Sequence, residues 1–199
     1  MASDDKQRKG LRERKKAKAM AEVQKHALRL FREQGYKATT VEQIAEAAEI
    51  SYSTFFRYFT SKEDVLMVDN YDPVLIAAFE EQPPSLHPVQ ALKNAMVAGL
   101  AEMSDEELVT MRERNELIMS VPELRASSMN NMTQMIQLLS EMISKRTGRD
   151  ASDITVRSLA GAVMGINISV MEYYAQHPEA DFAALLNESL SQLDQGFDL

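Results

Sequence analysis

Residues 35–64 read GYKATTVEQIAEAAEISYSTFFRYFTSKED, and this stretch decides the fold. Thr40 precedes Val41 with Gln43 three positions on, the spacing of a capping box, which predicts a short helix ending near Ala48. Glu49 and Ile50 then leave room only for a tight connection. Ser51 caps a second short helix with Thr54 at its third position, and Phe55 and Phe59, four apart, share its inward face. Ser61, followed by Glu63 and Asp64, opens a further helix whose N-terminal N–H groups and dipole favour those carboxylates. Upstream, Met20, Val23, Ala27, Leu30 and Phe31 recur at helical spacing in a longer helix that stops before Gly35. A long helix clamping two short ones across a tight turn makes a helix-turn-helix.

Physics assigns the roles within it. The second short helix has the size of a major-groove reader, held from behind by Ile44, Ile50, Phe55 and Phe59. Helical angles measured from Phe55 put Ser53, Phe56 and Arg57 outward and Tyr52 and Tyr58 on the flanks, a face of hydroxyls and aromatic rings. Lys62, at the start of the next helix, would bring an ammonium and a helix N-terminus to one phosphate.

From about Ala21 to Leu66 the chain resembles the DNA-binding domain of the TetR (tetracycline repressor) family. Ala27, Phe31, Gly35, Tyr36, Thr39, Thr40, Val41, Ile44, Ala45, Ala48, Ile50, Ser51, Thr54, Phe55, Phe59, Ser61 and Lys62 carry the likeness. The resemblance implies that Tyr52 and Ser53 approach bases and that Thr40, Thr54, Tyr58 and Lys62 hold phosphates; Ser51, Phe56 and Arg57 complete the candidate DNA-binding set. Two positions depart from the pattern. Glu49 stands where glycine is frequent in the turn, so a residue with a Cβ must accept the turn's backbone conformation. Phe56 stands where tyrosine is frequent, which replaces a hydroxyl donor with an apolar contact suited to a thymine methyl group.

The charge of the whole chain points the other way at first. Its 199 residues carry 22 Lys and Arg against 30 Asp and Glu, a net −8 that argues against a nucleic-acid partner. The average hides a division. Met1 to Leu66 holds fourteen basic and ten acidic residues, eight of the cations lying between Lys6 and Lys18, whereas Met67 to Leu199 holds eight basic and twenty acidic ones. One end can meet a polyanion and the other is repelled by it. A solvated basic tail fits the charge equally well, and only the helix-turn-helix gives the cations a purpose along a DNA backbone or in a minor groove.

Several classes are excluded. With no cysteine, there are no disulfides, thiolate metal sites or cysteine nucleophiles. His26, His87 and His177 are scattered, and neither a metal-ligand spacing nor a phosphate-cradling glycine motif occurs, so the chain is expected to be no enzyme and to hold no metal or cofactor. No secretory segment follows the basic start, and no stretch approaches the roughly 18 apolar residues of a membrane span, so a cytoplasmic protein with no membrane partner is expected. A polybasic membrane-surface or scaffold helical protein is the alternative, and the outward face from Tyr52 to Tyr58 is what neither of those needs.

Periodicity is helical almost throughout, and the expected class is all-α. The expected organisation is a basic arm over residues 1–18, a DNA-binding domain over 19–79 and a helical regulatory domain over 80–199, joined through the proline-rich stretch from Glu81 to Pro88. Five helices are expected there: Pro88 to Met103, Asp105 to Ser120, Glu123 to Lys145, Ser152 to Gln176 and Asp181 to Asp194. Eleven of the thirteen methionines lie from Met67 onward, which suits either an ordinary helical core or a pocket for an apolar ligand. The family resemblance implies the pocket, with Met111, Met119, Met132, Met135 and Met164 as candidates. The segments MRERNELIMSVPELR and SKRTGRD also resemble the subgroup binding acyl-coenzyme-A-like effectors. There Arg112, Arg114 and Asn115 would face a phosphate or carboxylate beside an apolar channel, though exposed helix charges paired with Glu113 and Glu116 explain any single one of them better. Asn167 needs a partner that core, ligand or a second subunit could supply. The resemblance further implies a homodimer through the last two helices, with Ala160, Gly161 and Gly165 allowing close approach, and a double-stranded DNA operator as the second partner.

Overall fold

The computed structural model describes residues 2–68, 72–177 and 179–197, with the side chains of residues 2–15 and 17 outside the description. Ten helices and no strand occur among the described residues. They divide into two compact units, Met1–Asn70 and Tyr71–Leu199.

The first unit holds α1 (Ala2–Gln34), α2 (Val41–Ala47), α3 (Tyr52–Tyr58) and α4 (Asp64–Met67). The basic arm is not separate from the first helix: α1 runs through it without a break. Of its eight cations only Lys16 and Lys18 have described side chains, both exposed. Gly35, at φ +86, takes the left-handed conformation that ends α1. Val23, Ala27 and Phe31 of α1, Ile44 of α2, Phe55 of α3, Phe59 just beyond it and Val65 of α4 are each at most 2% exposed, one apolar core joining all four helices. Truncating a fully buried phenylalanine in such a core costs about 3–5 kcal/mol. The helix expected after Ser61 is brief. It stops at Val68, whose carbonyl accepts from Gln24 Nε2 at 2.7 Å.

The second unit holds α5 (Asp72–Glu80), α6 (Pro88–Ala101), α7 (Asp105–Ser120), α8 (Pro122–Thr147), α9 (Ile154–Gln176) and α10 (Phe182–Gln195). Pro73 sits in the first turn of α5, where its missing N–H leaves no bond unmade. Because α5 packs on α6, the units divide at 70/71 rather than at the expected 79/80. The prolines of the 81–88 stretch therefore lie inside the second unit. Arg146 holds this connection: its guanidinium donates to the carbonyls of Gln82, Pro83 and Leu86 and lies 5.2 Å from the Phe79 ring centre. Gly148, at φ +72, closes α8. Leu92, Leu139, Ile143, Ala160, Val163, Leu186 and Leu190 form the centre of the core.

One expectation fails on α9. Its 23 residues include a window of mean hydropathy 1.5, long and apolar enough by length and composition to cross a membrane. The helix instead packs against α7, α8 and α10, sending Val156, Ala160, Val163, Val170 and Tyr174 into the core. Only 22% of that window is buried within the chain, its remaining apolar residues being mostly half-buried.

Candidate nucleic-acid interface and regulatory unit

The capping box at α2 forms as its spacing requires: Gln43 N–H donates to Thr40 Oγ1 at 3.3 Å and Thr40 N–H to Gln43 Oε1 at 2.9 Å. At the other end Ile50 N–H reaches Ala45 O at 2.9 Å and Glu49 N–H reaches Glu46 O at 3.0 Å, the paired bonds of a Schellman closure. Such a closure needs a left-handed residue at its apex. Glu49 takes it, at φ +54, the lone non-glycine with positive φ among the described residues. For a residue with a Cβ this conformation costs roughly 1–2 kcal/mol.

Ser51 caps α3, its Oγ accepting from Thr54 N–H at 3.1 Å while lying 3.0 Å from Ser53 Oγ and 2.8 Å from Thr54 Oγ1. Phe55 is wholly buried, which fixes the roll of α3 and turns the opposite face to solvent. On that face Tyr52 is 52% and Phe56 42% exposed, their ring centres 4.9 Å apart. Ser53 and Arg57 are exposed beside them, and Tyr58 is half-buried with the Arg57 guanidinium 5.2 Å from its ring centre. Of the nine residues expected to face DNA, Thr40, Ser51, Tyr52, Ser53, Phe56 and Arg57 are exposed and Thr54 and Tyr58 are half-buried.

Lys62 is placed differently. Its ammonium donates to Tyr36 O at 2.8 Å and Thr39 O at 3.0 Å and rides 3.9 Å from the Tyr36 ring centre. A cation expected on a phosphate is engaged within the protein, because the chain from Gly35 to Thr40 presents carbonyls that no helix satisfies. Sequence spacing gives no sign of this, since the partners are 23 and 26 residues away. The Tyr36 hydroxyl in turn donates to Glu63. Burial on its own raises the Glu63 carboxyl, but hydrogen bonds from Tyr36, its own backbone N–H and Ser61, with the Lys62 charge, outweigh burial and hold it below the usual range. Thr39, 1% exposed, donates to Gly35 O at 2.9 Å and accepts from Gln34 at 3.1 Å. The loop entering α2 is therefore pinned from both sides.

In the second unit the expected ligand residues divide. Met111, Met135 and Met164 are half-buried against the core, and Met119, Met132 and Asn167 are half-buried as well. Arg112 Nε lies 3.8 Å from Glu116 Oε1, the ion-pair alternative. Asn115 is 2% exposed, and neither its Nδ2 nor its Oδ1 has a hydrogen-bond partner. An open hollow of about 340 Å³ lies elsewhere, between α9 and α10, lined by Ala162, Gly165, Ile166, Ser169, Ser189, Leu193 and Phe197. None of the eight expected ligand residues lines it. It occupies the outer face of α9, which the apolar pattern of that helix alone could not distinguish from its core face.

A pinned loop, two short helices across a Schellman turn and a solvent-facing aromatic and hydroxyl surface define a helix-turn-helix DNA-binding protein joined to a separate helical unit. Residues 25–67 match the family described as bacterial regulatory proteins, tetR family, and residues 86–198 match the MftR C-terminal domain. The chain is 33% identical over 193 residues to the HTH-type transcriptional regulator TcmR of Streptomyces glaucescens, covering 93% of this chain and 85% of that one. Similar solved structures are FadR from Bacillus halodurans (TM-score 0.61, 21% identity, 90% and 96% of the two chains) and Thermus thermophilus FadR in complex with lauroyl-CoA (TM-score 0.56, 22% identity, 90% and 95%). The chain belongs to the TetR family of DNA-binding transcriptional regulators, which are not enzymes.

Proposed function

We propose that the protein is a homodimeric, ligand-responsive repressor of the cytoplasm, whose paired α3 helices read a near-palindromic operator and whose second unit binds the effector that releases it. The exposed face of α3 carries this reading, since a buried Phe55 with Tyr52 and Phe56 left in water costs apolar exposure that only a partner recovers. Tyr52, Ser53 and Phe56 contact base edges; Thr40, Thr54, Arg57 and Tyr58 hold phosphates, and Ser51 fixes the start of the helix. Net charge supports the division of labour. Residues 1–70 hold fourteen basic and eleven acidic side chains, and residues 71–199 hold eight and nineteen, so the regulatory unit carries −11 and is kept off the DNA backbone.

The outward face of α9 supports the dimer. A Cβ added at Gly161 or Gly165 meets nothing within the protomer, so those glycines are not required by packing inside one chain. Two-fold pairing through α9 and α10 would set two α3 helices about 34–36 Å apart, one turn of DNA. The effector is a small apolar molecule or an acyl-coenzyme-A-like one whose acyl chain is apolar, with acyl-coenzyme-A esters as the first class to try, a reading supported by the half-buried methionines and by the lauroyl-CoA bound to the Thermus thermophilus relative of like fold. Its binding shifts the heads away from the DNA-competent population.

Fluorescence anisotropy on genomic fragments tests this reading. A specific complex that weakens steeply with salt is expected, and Tyr52→Ala should alter the preferred sequence. Equal binding to every fragment would refute it.

A further inference from the structure

Among the described residues of the second unit, Asn115 is buried with both polar ends of its side chain lacking a hydrogen bond. Among the described buried polar side chains there, Ser140 is satisfied by Ile136 O at 2.7 Å, whereas Asn115 keeps both ends of its carboxamide without a partner at 2% exposure. A buried amide with no hydrogen bond costs stability that an apolar residue of similar size would not. Met111 and Met119 lie one turn before and after it, and Ile118, 8% exposed, shares the same side of α7, so the amide stands in an apolar stripe facing the helices α8 and α9.

From this we infer that Asn115 is the polar recognition point for the effector, and that the effector presents to it a neutral group that accepts and donates side by side, a carboxamide or lactam on an apolar body. The inference rests on the ligand-responsive reading above and narrows it. A carboxamide has one acceptor and two donor positions, so a matching amide satisfies both ends at once, while an ester satisfies only the N–H end. A carboxylate only accepts, so like the ester it meets the N–H end of Asn115 and leaves its Oδ1 without a donor. Specificity of this kind is efficient, because the analogue lacking the donor leaves a buried group unpaired.

The test compares four probes with twelve-carbon bodies, dodecanamide, methyl laurate, laurate and lauroyl-CoA, by thermal shift on the full chain and its Asn115→Leu and Asn115→Ala variants. Dodecanamide should bind the unaltered protein about tenfold more tightly than methyl laurate, an advantage that both variants lose. Without any probe, Asn115→Leu should melt about 3 °C higher, since it replaces an unpaired amide with an apolar side chain of the same branched shape. A lower melting point for Asn115→Leu, or an undiminished amide advantage in Asn115→Ala, overturns the inference. If the ester, the anion or the coenzyme-A thioester binds and dodecanamide holds no advantage, the inference fails while the ligand-responsive reading stands. Stabilisation by none of the four overturns both.

Discussion

Replacing Lys62 with methionine removes the ammonium and keeps the apolar stem, which separates two roles that a lysine beside a DNA-reading helix can have. In the structure its Nζ donates to Tyr36 O and Thr39 O at 2.8 and 3.0 Å and lies 3.9 Å from the Tyr36 ring centre. Hydrogen bonds from a charged donor are worth about 1.5–3 kcal/mol each and an accessible cation–π contact roughly 0.5. The side chain is half-buried, so water recovers much of this when the ammonium is removed. We expect Lys62→Met to cost the DNA-binding unit about 2 kcal/mol in urea unfolding. Operator affinity should fall up to about tenfold, because a loosened 35–40 loop lowers the fraction of heads with Thr40 and α2 correctly set. The deciding measurement is salt dependence. If Lys62 binds a phosphate, its replacement should lessen the slope of log affinity against log salt by about 0.9 for each head, about 1.8 for the dimer, whereas replacing a residue that only positions the loop leaves the slope unchanged. Unchanged stability together with a slope reduced by about two for the dimer would refute the clamp and restore the phosphate role.

The remaining expectations concern the turn, the acid response and the assembly. Glu49→Gly should stabilise the first unit by about 0.5–1 kcal/mol in urea unfolding, since relief of the left-handed strain at φ +54 exceeds the chain entropy that glycine adds. The Glu63 carboxyl is held low in the folded state, so its contribution is present above about pH 4.5 and is lost as the pH falls through the folded value. Tyr36→Phe should therefore be less stable than the unaltered protein at neutral pH, with the gap narrowing on acidification; a gap independent of pH would contradict the Tyr36–Glu63 bond. Gly165→Arg should leave the helical content intact, because the position is exposed and a Cβ there meets nothing within 4 Å in the protomer, yet sediment as a monomer. Without two-point attachment, operator binding should then weaken by about a hundredfold or more, and a dimeric Gly165→Arg protein with full affinity would place the subunit interface elsewhere.

Much of this molecule was legible because its signals are local. Thr40 with Gln43 and Ser51 with Thr54 are bonds between residues three apart, and the 3.6-residue period of Phe55 and Phe59 settles which side of α3 is buried. The helices of the second unit likewise follow from apolar spacing and from Pro88, Pro122 and Gly148 at their ends, within about two residues. Even the awkward backbone of Glu49 follows from a turn that ordinarily takes glycine. The capping box of α7, where Ser104 accepts from Glu107 N–H at 3.4 Å and Ser104 N–H donates to the Glu107 carboxylate at 2.8 Å, has the same three-residue spacing, a local signal not singled out from the sequence.

Tertiary structure decided what spacing cannot carry. Lys62 meets carbonyls 23 and 26 residues away, and Arg146 meets a connection some sixty residues upstream, so their roles depend on which helices lie side by side. The unit boundary moved to Asn70 because α5 buries Phe79 against the second core, a choice made by packing and not by the prolines that follow it. On α9, Ala160 and Gly161 are neighbours in an almost uniformly apolar run, yet Ala160 is fully buried and Gly161 is not. Asn115 became distinctive for the same reason. In sequence it is one polar residue among charged neighbours on α7, and only the enclosure of its amide without a partner separates it from them. Local geometry is encoded by near neighbours along the chain, whereas burial and pairing belong to contacts that exist only after the helices have met.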